Sequence, residues 1–165
     1  MSLLQKLLGH RSDPGPSATT WYLRDQHIPF SLHHHVPAYT AQHLAHVEHV
    51  PGRMVAKVVI AVADGQTVML CLPAPCKIDL LKLMSVLSTD NLRLAYEEEL
   101  ADAFPDCEVG AMPPFGHLYK MPVFVDQRLA LDEKILFAAG RHTDTVEMAY
   151  DDFARLVHPM LGDFC

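Results

Sequence analysis

Two apolar runs rich in β-branched residues predict a pair of antiparallel strands in the first half of the chain. They are residues 55–62 and 67–72, and the short connection between them contains Asp64 and Gly65. An Asp-Gly pair between apolar runs is a hairpin signal. Similar apolar runs predict four further strands in the second half, at residues 108–112, 121–125, 134–138 and 143–149. A short strand is also predicted at residues 21–28.

Helical spacing of apolar residues predicts four helices, at residues 41–48, 80–87, 96–104 and 150–157. Thr40 and Asp79 stand directly before the first two and are suitable N-cap residues. The dense apolar face of residues 80–87 is expected to pack on the core. Helices between hairpin-rich stretches, without a regular βαβα alternation, indicate an α+β fold with one mixed, mainly antiparallel twisted sheet surrounded by helices.

Length and composition indicate a single globular domain. The chain has 165 residues, of which 50% are hydrophobic and 20% charged, and no apolar stretch is long enough for a membrane helix. The Pro/Gly/Ser-rich residues 11–20 are unsuited to helix or strand, so residues 1–20 are expected to be a tail or linker and residues 21–165 the domain. Four cysteines without a CxxC pair, and no secretory signal pattern, favour a cytoplasmic protein.

The formal net charge of −7 argues against sequence-independent binding along a nucleic-acid backbone. A nucleic-acid partner would therefore be held locally, at an end or in one pocket.

Lys57 is a charged residue at the head of an apolar strand. An isolated lysine of this kind is often an edge residue that reaches water, whereas a buried ammonium must face a wet cleft or an anion. About fifty residues later comes the loop 110–116, with glycines at both ends and prolines at 113 and 114. Such a loop is stiff and lets a ligand approach its backbone, although a lone Gly/Pro turn is often only structural. Together the two segments suggest a pocket with one cation and a wall of backbone groups.

Other catalytic patterns are weak. The chain has eleven histidines, including His33, His34 and His35, but no Cys or carboxylate accompanies them at the spacing of a known zinc signature, so neither a metal nor a cofactor is predicted. His35 and His142 are the histidines best placed to reach a pocket. No Gly-x-Ser-x-Gly elbow is present.

The pattern resembles the YbaK/prolyl-tRNA-synthetase-associated domain family, the superfamily of the bacterial prolyl-tRNA synthetase editing (insertion) domain. The resemblance covers roughly residues 37–156. It is carried by Ala56-Lys57, Leu94-Ala95, Glu98-Glu99-Leu100, Gly110 to Gly116, Val123 to Asp126 and Ala139-Gly140. Its strongest element is the Gly-x-x-x-Pro loop from Gly110 to Pro114, with the strand lysine at the right separation.

This resemblance implies an aminoacyl-tRNA deacylase that removes a wrong amino acid from the 3′ end of a tRNA in trans, commonly tRNA-Pro. Lys57 would hold the phosphate or ribose of the terminal nucleotide, and the backbone of Gly110 and Pro114 would position the ester and the attacking water. The remaining residues expected to contact the substrate are His35, Ala111, Met112, Pro113, Gly140 and His142. An aminoacyl-tRNA synthetase is a candidate partner, no membrane is expected, and the chain could be a monomer or a homodimer.

Two other functions stay open at this point. One is a non-catalytic module of the same fold that binds a tRNA end or a nucleotide in the same pocket. The other is a histidine-rich metal protein, which stoichiometric metal in untagged protein would reveal.

Overall fold

The computed structural model describes residues 17–165. Its helices are α1 (Ala18–Asp25), α2 (Ala41–Val47), α3 (Leu80–Leu87), α4 (Glu97–Ala103) and α5 (Tyr150–Val157). Its strands are β1 (Ser31–His34), β2 (Ala56–Ala63), β3 (Gln66–Pro73), β4 (Leu92–Leu94), β5 (Val123–Asp126), β6 (Lys134–Ala138), β7 (Asp144–Ala149) and β8 (Met160–Gly162). Short 3₁₀ turns occur at Gly52–Met54, Gly116–Tyr119 and Leu129–Leu131.

The predicted hairpin is confirmed as β2 and β3. Ala63 pairs with Gln66, and Asp64 and Gly65 at the turn both have positive φ, of 50° and 78°. Two successive positive φ angles are the requirement of a type I′ turn, which Asp-Gly meets at low cost. The same register sets Lys57 opposite Leu72.

The strands form two sheets that enclose the main core with the helices. A five-stranded sheet has the order β4-β2-β3-β5-β8, and a three-stranded sheet has the order β1-β7-β6. The β3–β5 and β5–β8 pairs are parallel and the other pairs are antiparallel. The predicted α+β class with mixed, mainly antiparallel strands is therefore confirmed. The expected single sheet is divided in two, with one parallel bridge between Val55 and Leu136.

The helix caps follow the sequence prediction. The Thr40 hydroxyl accepts a hydrogen bond from the His43 N–H at 3.0 Å, and Asp79 accepts from the N–H groups of Leu81 and Lys82 at 3.0 and 3.1 Å. These bonds satisfy N–H groups that the first helical turn leaves without partners. The dense apolar face of α3, however, is only partly buried.

Within α3 Leu83 is fully buried, whereas Leu80 and Leu81 are 52% and 79% exposed. A two-turn helix on the surface of a sheet buries one stripe of side chains and leaves the others in water. The expectation that this whole face packs on the core is therefore wrong.

Two predicted strands are wrong. Residues 21–28 fall mostly in helix α1, where Thr19, Thr20 and Leu23 form a buried helical stripe despite the β-prone aromatic residues beside them. Helix α1 also takes up residues 18–20, which the linker pattern had excluded from helix, while residues 1–16 of the predicted tail lie outside the described residues.

Residues 108–112 form a turn, because the Ala111 N–H bonds back to the Glu108 carbonyl at 3.0 Å and Gly110 has φ +89°. The strand predicted there is absent for this reason.

The end of the chain adds a strand that the sequence pattern did not reveal. β8 follows α5 and pairs in parallel with β5 through Phe124–Met160 and Asp126–Gly162. β1 and β4 were also missed, since each has only three or four residues. Among residues 17–165, no helix combines the length and the apolar character needed to cross a bilayer.

Candidate functional site

A pocket opens where the start of β2 meets the segment that leads into α2. It contains about 410 Å³ of empty space, counted to its open mouth. The lining is mainly apolar and comes from residues 38–41, Leu44, residues 55–58, Gly110, Met112 and Ala138.

Lys57 contributes the cation of this lining. Its ammonium donates hydrogen bonds to the backbone carbonyls of Ala74, at 3.2 Å, and Cys76. Both carbonyls belong to the segment that follows β3, which the hairpin register brings beside the first residues of β2. An ammonium has three donors, so these two bonds fix the direction of the side chain and leave one donor for a ligand.

The loop predicted from glycine and proline forms the facing wall of the pocket. Gly110 and Met112 line it, and the Gly110 N–H contacts the Met112 sulfur at 3.2 Å. The loop is tied to the turn at Gly140: the Gly140 N–H donates to the Ala111 carbonyl, and the Glu108 N–H donates to the Gly140 carbonyl, both at 2.8 Å. Gly140 itself has φ +92°. The Gly110 backbone is therefore held in place by a distant part of the sequence.

His142 supports the same loop from behind. Its Nε2–H donates to the Val109 carbonyl at 3.0 Å, because a carbonyl can only accept, and its backbone N–H donates to a Glu108 carboxylate oxygen at 3.0 Å. A side chain at Gly110 would lie 3.4 Å from the His142 ring. On its other side the ring contacts Tyr39, with 4.8 Å between centroids.

His35 lies away from the pocket lining. Its Nδ1–H donates to the Val36 carbonyl at 2.6 Å, and its Nε2 lies 2.7 Å from the Thr145 hydroxyl. Nearby, His33 is paired with Glu48 at 2.8 Å. These contacts join β1 to β7 and to the end of α2. Within residues 17–165, no cluster of three or more His, Cys, Asp or Glu side chains is placed to hold a metal ion.

Comparison with known proteins assigns the chain to a family by its sequence. Residues 35–156 match the sequence model of the aminoacyl-tRNA editing domain. The chain belongs to this family. No curated protein matches the sequence of this editing domain significantly.

Solved structures share the fold of this editing domain at low identity. The hypothetical protein APE2540 is 17% identical with a TM-score of 0.80, over 88% of this chain and 97% of that one. A protein proposed to be a trans-editing enzyme for prolyl-tRNA synthetase is 19% identical with a TM-score of 0.76, over 88% of this chain and 93% of that one.

A protein from Marinobacter aquaeolei VT8, proposed to act in signal transduction, is also 19% identical, with a TM-score of 0.65. The match covers 98% of this chain and 30% of that one, so the same fold also occurs as part of a longer chain.

The editing domain brings some of the predicted site residues together and separates others. Lys57, Gly110 and Met112 line the pocket. Ala111, Pro113 and Pro114 are buried behind this wall. Gly140 and His142 hold the loop, and His35 lies outside the lining. The chemical roles assigned to all of these residues stay predictions.

The sequence analysis missed the wall of the pocket that precedes α2. Tyr39 and Thr40 line this side, and Leu44 reaches the pocket from the first turns of the helix. Residues 40–48 were interpreted only as a capped amphipathic helix. An exposed tyrosine directly before the N-cap was the available signal, but only the folded chain sets it beside Lys57.

Proposed function

We propose that the protein is an aminoacyl-tRNA deacylase that hydrolyses, in trans, the ester between a wrong amino acid and the 3′ end of a tRNA. The observation that carries the proposal is that Lys57, whose ammonium is held by two backbone carbonyls, and Gly110 line the same pocket. The match to the aminoacyl-tRNA editing domain supports the same class of substrate.

The composition of the pocket limits how such a reaction could proceed. None of the described lining residues carries a carboxylate, an imidazole or a thiol. Burial also raises the pKa of the buried Cys71 thiol and raises that of Cys107 to about 11, so neither is a ready thiolate at neutral pH. Catalysis would rest on orientation and backbone dipoles, which suffice for an ester that is already activated.

The proposed reaction is attack of water on the ester carbonyl carbon. The water oxygen forms a bond to that carbon while the carbonyl electron pair moves onto its oxygen, and the tetrahedral intermediate then expels the ribose oxygen. The proton released by the water ends on the ribose oxygen, so the products are a free amino acid and a tRNA with a free terminal hydroxyl. The remaining donor of Lys57 would hold the terminal phosphate or ribose, and the Gly110 backbone would orient the ester and the water.

The volume and lining of the pocket favour a small, uncharged amino acid. Most of the lining side chains are apolar, and the lining offers a charged amino acid no carboxylate and only the Lys57 ammonium, which is proposed to hold the terminal nucleotide. Pocket volume discriminates only weakly between side chains that differ by one methylene, so several small amino acids are reasonable substrates. The structural neighbour proposed to act for prolyl-tRNA synthetase makes tRNA-Pro the first tRNA to test and that synthetase a candidate partner.

The direct test is a deacylation assay with tRNA-Pro charged with Ala, Cys, Ser or Thr. Wild type is compared with Lys57→Ala and with the control Lys134→Ala, which removes a strand lysine that is 60% exposed and paired with Glu147. We expect hydrolysis of at least one substrate by wild type and by the control. Lys57→Ala should be about 100-fold slower or worse, because misplacing the reacting groups by an ångström has an effect of this size.

Two outcomes would contradict the proposal in different ways. Equal rates for wild type and Lys57→Ala would reject the role of the lysine. Tight binding of tRNA by wild type with no hydrolysis of any substrate would replace the deacylase by a non-catalytic module that binds the tRNA end.

A further inference from the structure

Tyr39 is a large aromatic residue that lies at the mouth of the pocket and stays 69% exposed. Its backbone is fixed on both sides. The preceding Ala38 N–H donates to the His142 carbonyl at 2.9 Å, and the following Thr40 caps helix α2. The exposure of the ring is therefore a consequence of a rigid backbone rather than of a loose segment.

The Tyr39 ring contacts the His142 ring and stays largely exposed. The His142 ring lies against it with a centroid distance of 4.8 Å and an interplanar angle of 51°. His142 is itself anchored through the Val109 carbonyl and Glu108. Because Tyr39 is 69% exposed, the contact with His142 leaves much of the ring open to solvent. Within residues 17–165 the Tyr39 hydroxyl has no hydrogen-bond partner, so no polar contact explains the position of the ring.

The covalent structure of the substrate determines which part of it would meet this ring. When the aminoacyl group enters the pocket, the terminal nucleobase, which is attached through a ribose, lies toward the mouth. Tyr39 is the aromatic member of the lining at that mouth.

Charge alone would hold the nucleic acid weakly. Lys57 is the cationic member of the described lining, and the net charge of the chain is −7. Proteins bind a single-stranded end through phosphate contacts and through bases that stack on aromatic side chains. Where phosphate contacts are few, stacking usually supplies the affinity.

We propose that the exposed ring of Tyr39 is the stacking site for the terminal nucleobase of the strand whose ester enters the pocket, which in a tRNA is an adenine. The inference rests on the proposed deacylase function, since it assumes that a nucleic-acid end occupies the site. It assigns affinity for the substrate to an uncharged ring outside the reacting centre.

The test uses a short single-stranded RNA that ends in CCA, with the terminal adenine replaced by 2-aminopurine, whose fluorescence falls when it stacks. Wild type is compared with Tyr39→Phe, which keeps the ring, and with Tyr39→Leu, which keeps an apolar side chain without a ring. Tyr96→Leu is the matched control, because Tyr96 is similarly exposed, at 61%, but lies far along the sheet from Lys57. It follows β4, which pairs with the last residues of β2, whereas Lys57 is near the start of that strand.

We expect quenching with wild type, Tyr39→Phe and Tyr96→Leu, and its loss with Tyr39→Leu. Binding to Tyr39→Leu should be about tenfold weaker, which is within the measured effect of removing one stacked base. The dependence of affinity on salt should be the same for wild type and Tyr39→Leu, because Tyr39 carries no charge and releases no counterions.

A kinetic readout separates this inference from the proposed function. On a mischarged tRNA that wild type hydrolyses, Tyr39→Leu should raise KM about tenfold and leave kcat nearly unchanged. Hydrolysis by wild type without quenching, or with a normal KM in Tyr39→Leu, would overturn the stacking site and leave the deacylase standing. Ring-dependent quenching without any hydrolysis would support the stacking site and refute the deacylase. Neither quenching nor hydrolysis would refute both.

Discussion

Lys57 and Asp126 are both charged residues on strands of the five-stranded sheet. They differ in how much of their hydrogen-bonding capacity the rest of the chain fills. Asp126 ends β5 with its side chain fully buried. It accepts hydrogen bonds from the N–H groups of Arg128, at 3.0 Å, and Phe164, at 2.9 Å, and from the Arg128 guanidinium at 3.1 Å. Lys57 is bound to two carbonyls, keeps one donor and lines an open pocket.

The pKa of Asp126 reflects this complete set of partners. Burial alone would raise the pKa of the carboxyl, but the hydrogen bonds from Phe164 and Arg128 outweigh burial and lower the pKa. A buried charge whose bonding capacity is filled by its own chain acts as a structural connector, here between β5 and the last residues. A charge with a spare donor in a cavity is suited to a ligand. The predictions below test this difference.

Asp126→Ala should have the largest effect on stability, lowering the free energy of unfolding by about 3 kcal/mol. It leaves the buried Phe164 N–H without an acceptor and removes a charged partner of Arg128. Chemical denaturation measures the change. The activity of the folded fraction should stay close to wild type.

Asp163→Ala is the graded control, because Asp163 bonds the same guanidinium at 3.0 Å but is 43% exposed. It should cost about 1 kcal/mol or less. Equal losses in the two variants would contradict the structural role of the buried carboxylate.

The pH dependence of stability should report the same site. Because the pKa of Asp126 is lower in the folded chain, its ionised form favours folding. That contribution is complete above the unfolded-state pKa of about 3.9 and is lost as the pH falls through the folded-state pKa. Denaturation curves measured at decreasing pH should show a smaller acid loss for Asp126→Asn than for wild type. Parallel acid losses in the two proteins would mean that other carboxylates dominate.

Gly110→Ala should lower both stability and activity. A residue other than glycine at φ +89° is strained by about 1–2 kcal/mol, and the new methyl group would lie in van der Waals contact with His142 at 3.4 Å. The displaced backbone should slow deacylation by roughly tenfold or more. The paired measurements are a denaturation curve and kcat.

Gly65→Ala offers a matched control in the β2–β3 turn. Gly65 has φ +78° and open space around it, so the strain is similar without any contact to the pocket. The stability loss should therefore be comparable and kcat unchanged. A loss of activity in Gly65→Ala equal to that in Gly110→Ala would show that general destabilisation, and not the geometry of the loop, controls the rate.

Lys57→Met should have the smallest effect on stability, about 1 kcal/mol or less. Methionine fills similar space, and water in the open pocket can bond the carbonyls of Ala74 and Cys76. Chemical denaturation in parallel with the deacylation assay gives both quantities for one variant. A loss near 3 kcal/mol would make Lys57 a structural connector like Asp126 and remove the basis of the comparison.

Short-range features of this protein were predictable from the amino-acid sequence because their causes lie within a few residues. The Asp64-Gly65 turn, the caps at Thr40 and Asp79 and the bounds of α5 depend on backbone angles and hydrogen bonds between near neighbours. The Asx turn at Asp126 belongs with them, since its acceptor serves an N–H two residues later. The residues 110–116 and Lys57 also pointed to the family directly.

Features that depend on distant contacts were not predictable in this way. Residues 18–25 form a helix because Thr19, Thr20 and Leu23 find a core to pack against, although the local aromatic residues favour a strand. β8 exists because β5 offers it a free edge.

The site shows the same division. Sequence alone supplied Lys57 and the Gly110 loop and indicated that they form one pocket. Only the tertiary structure placed the Gly140 turn and His142 behind the loop and added Tyr39 to the pocket lining, because packing and hydrogen bonds between segments distant in sequence decide those positions.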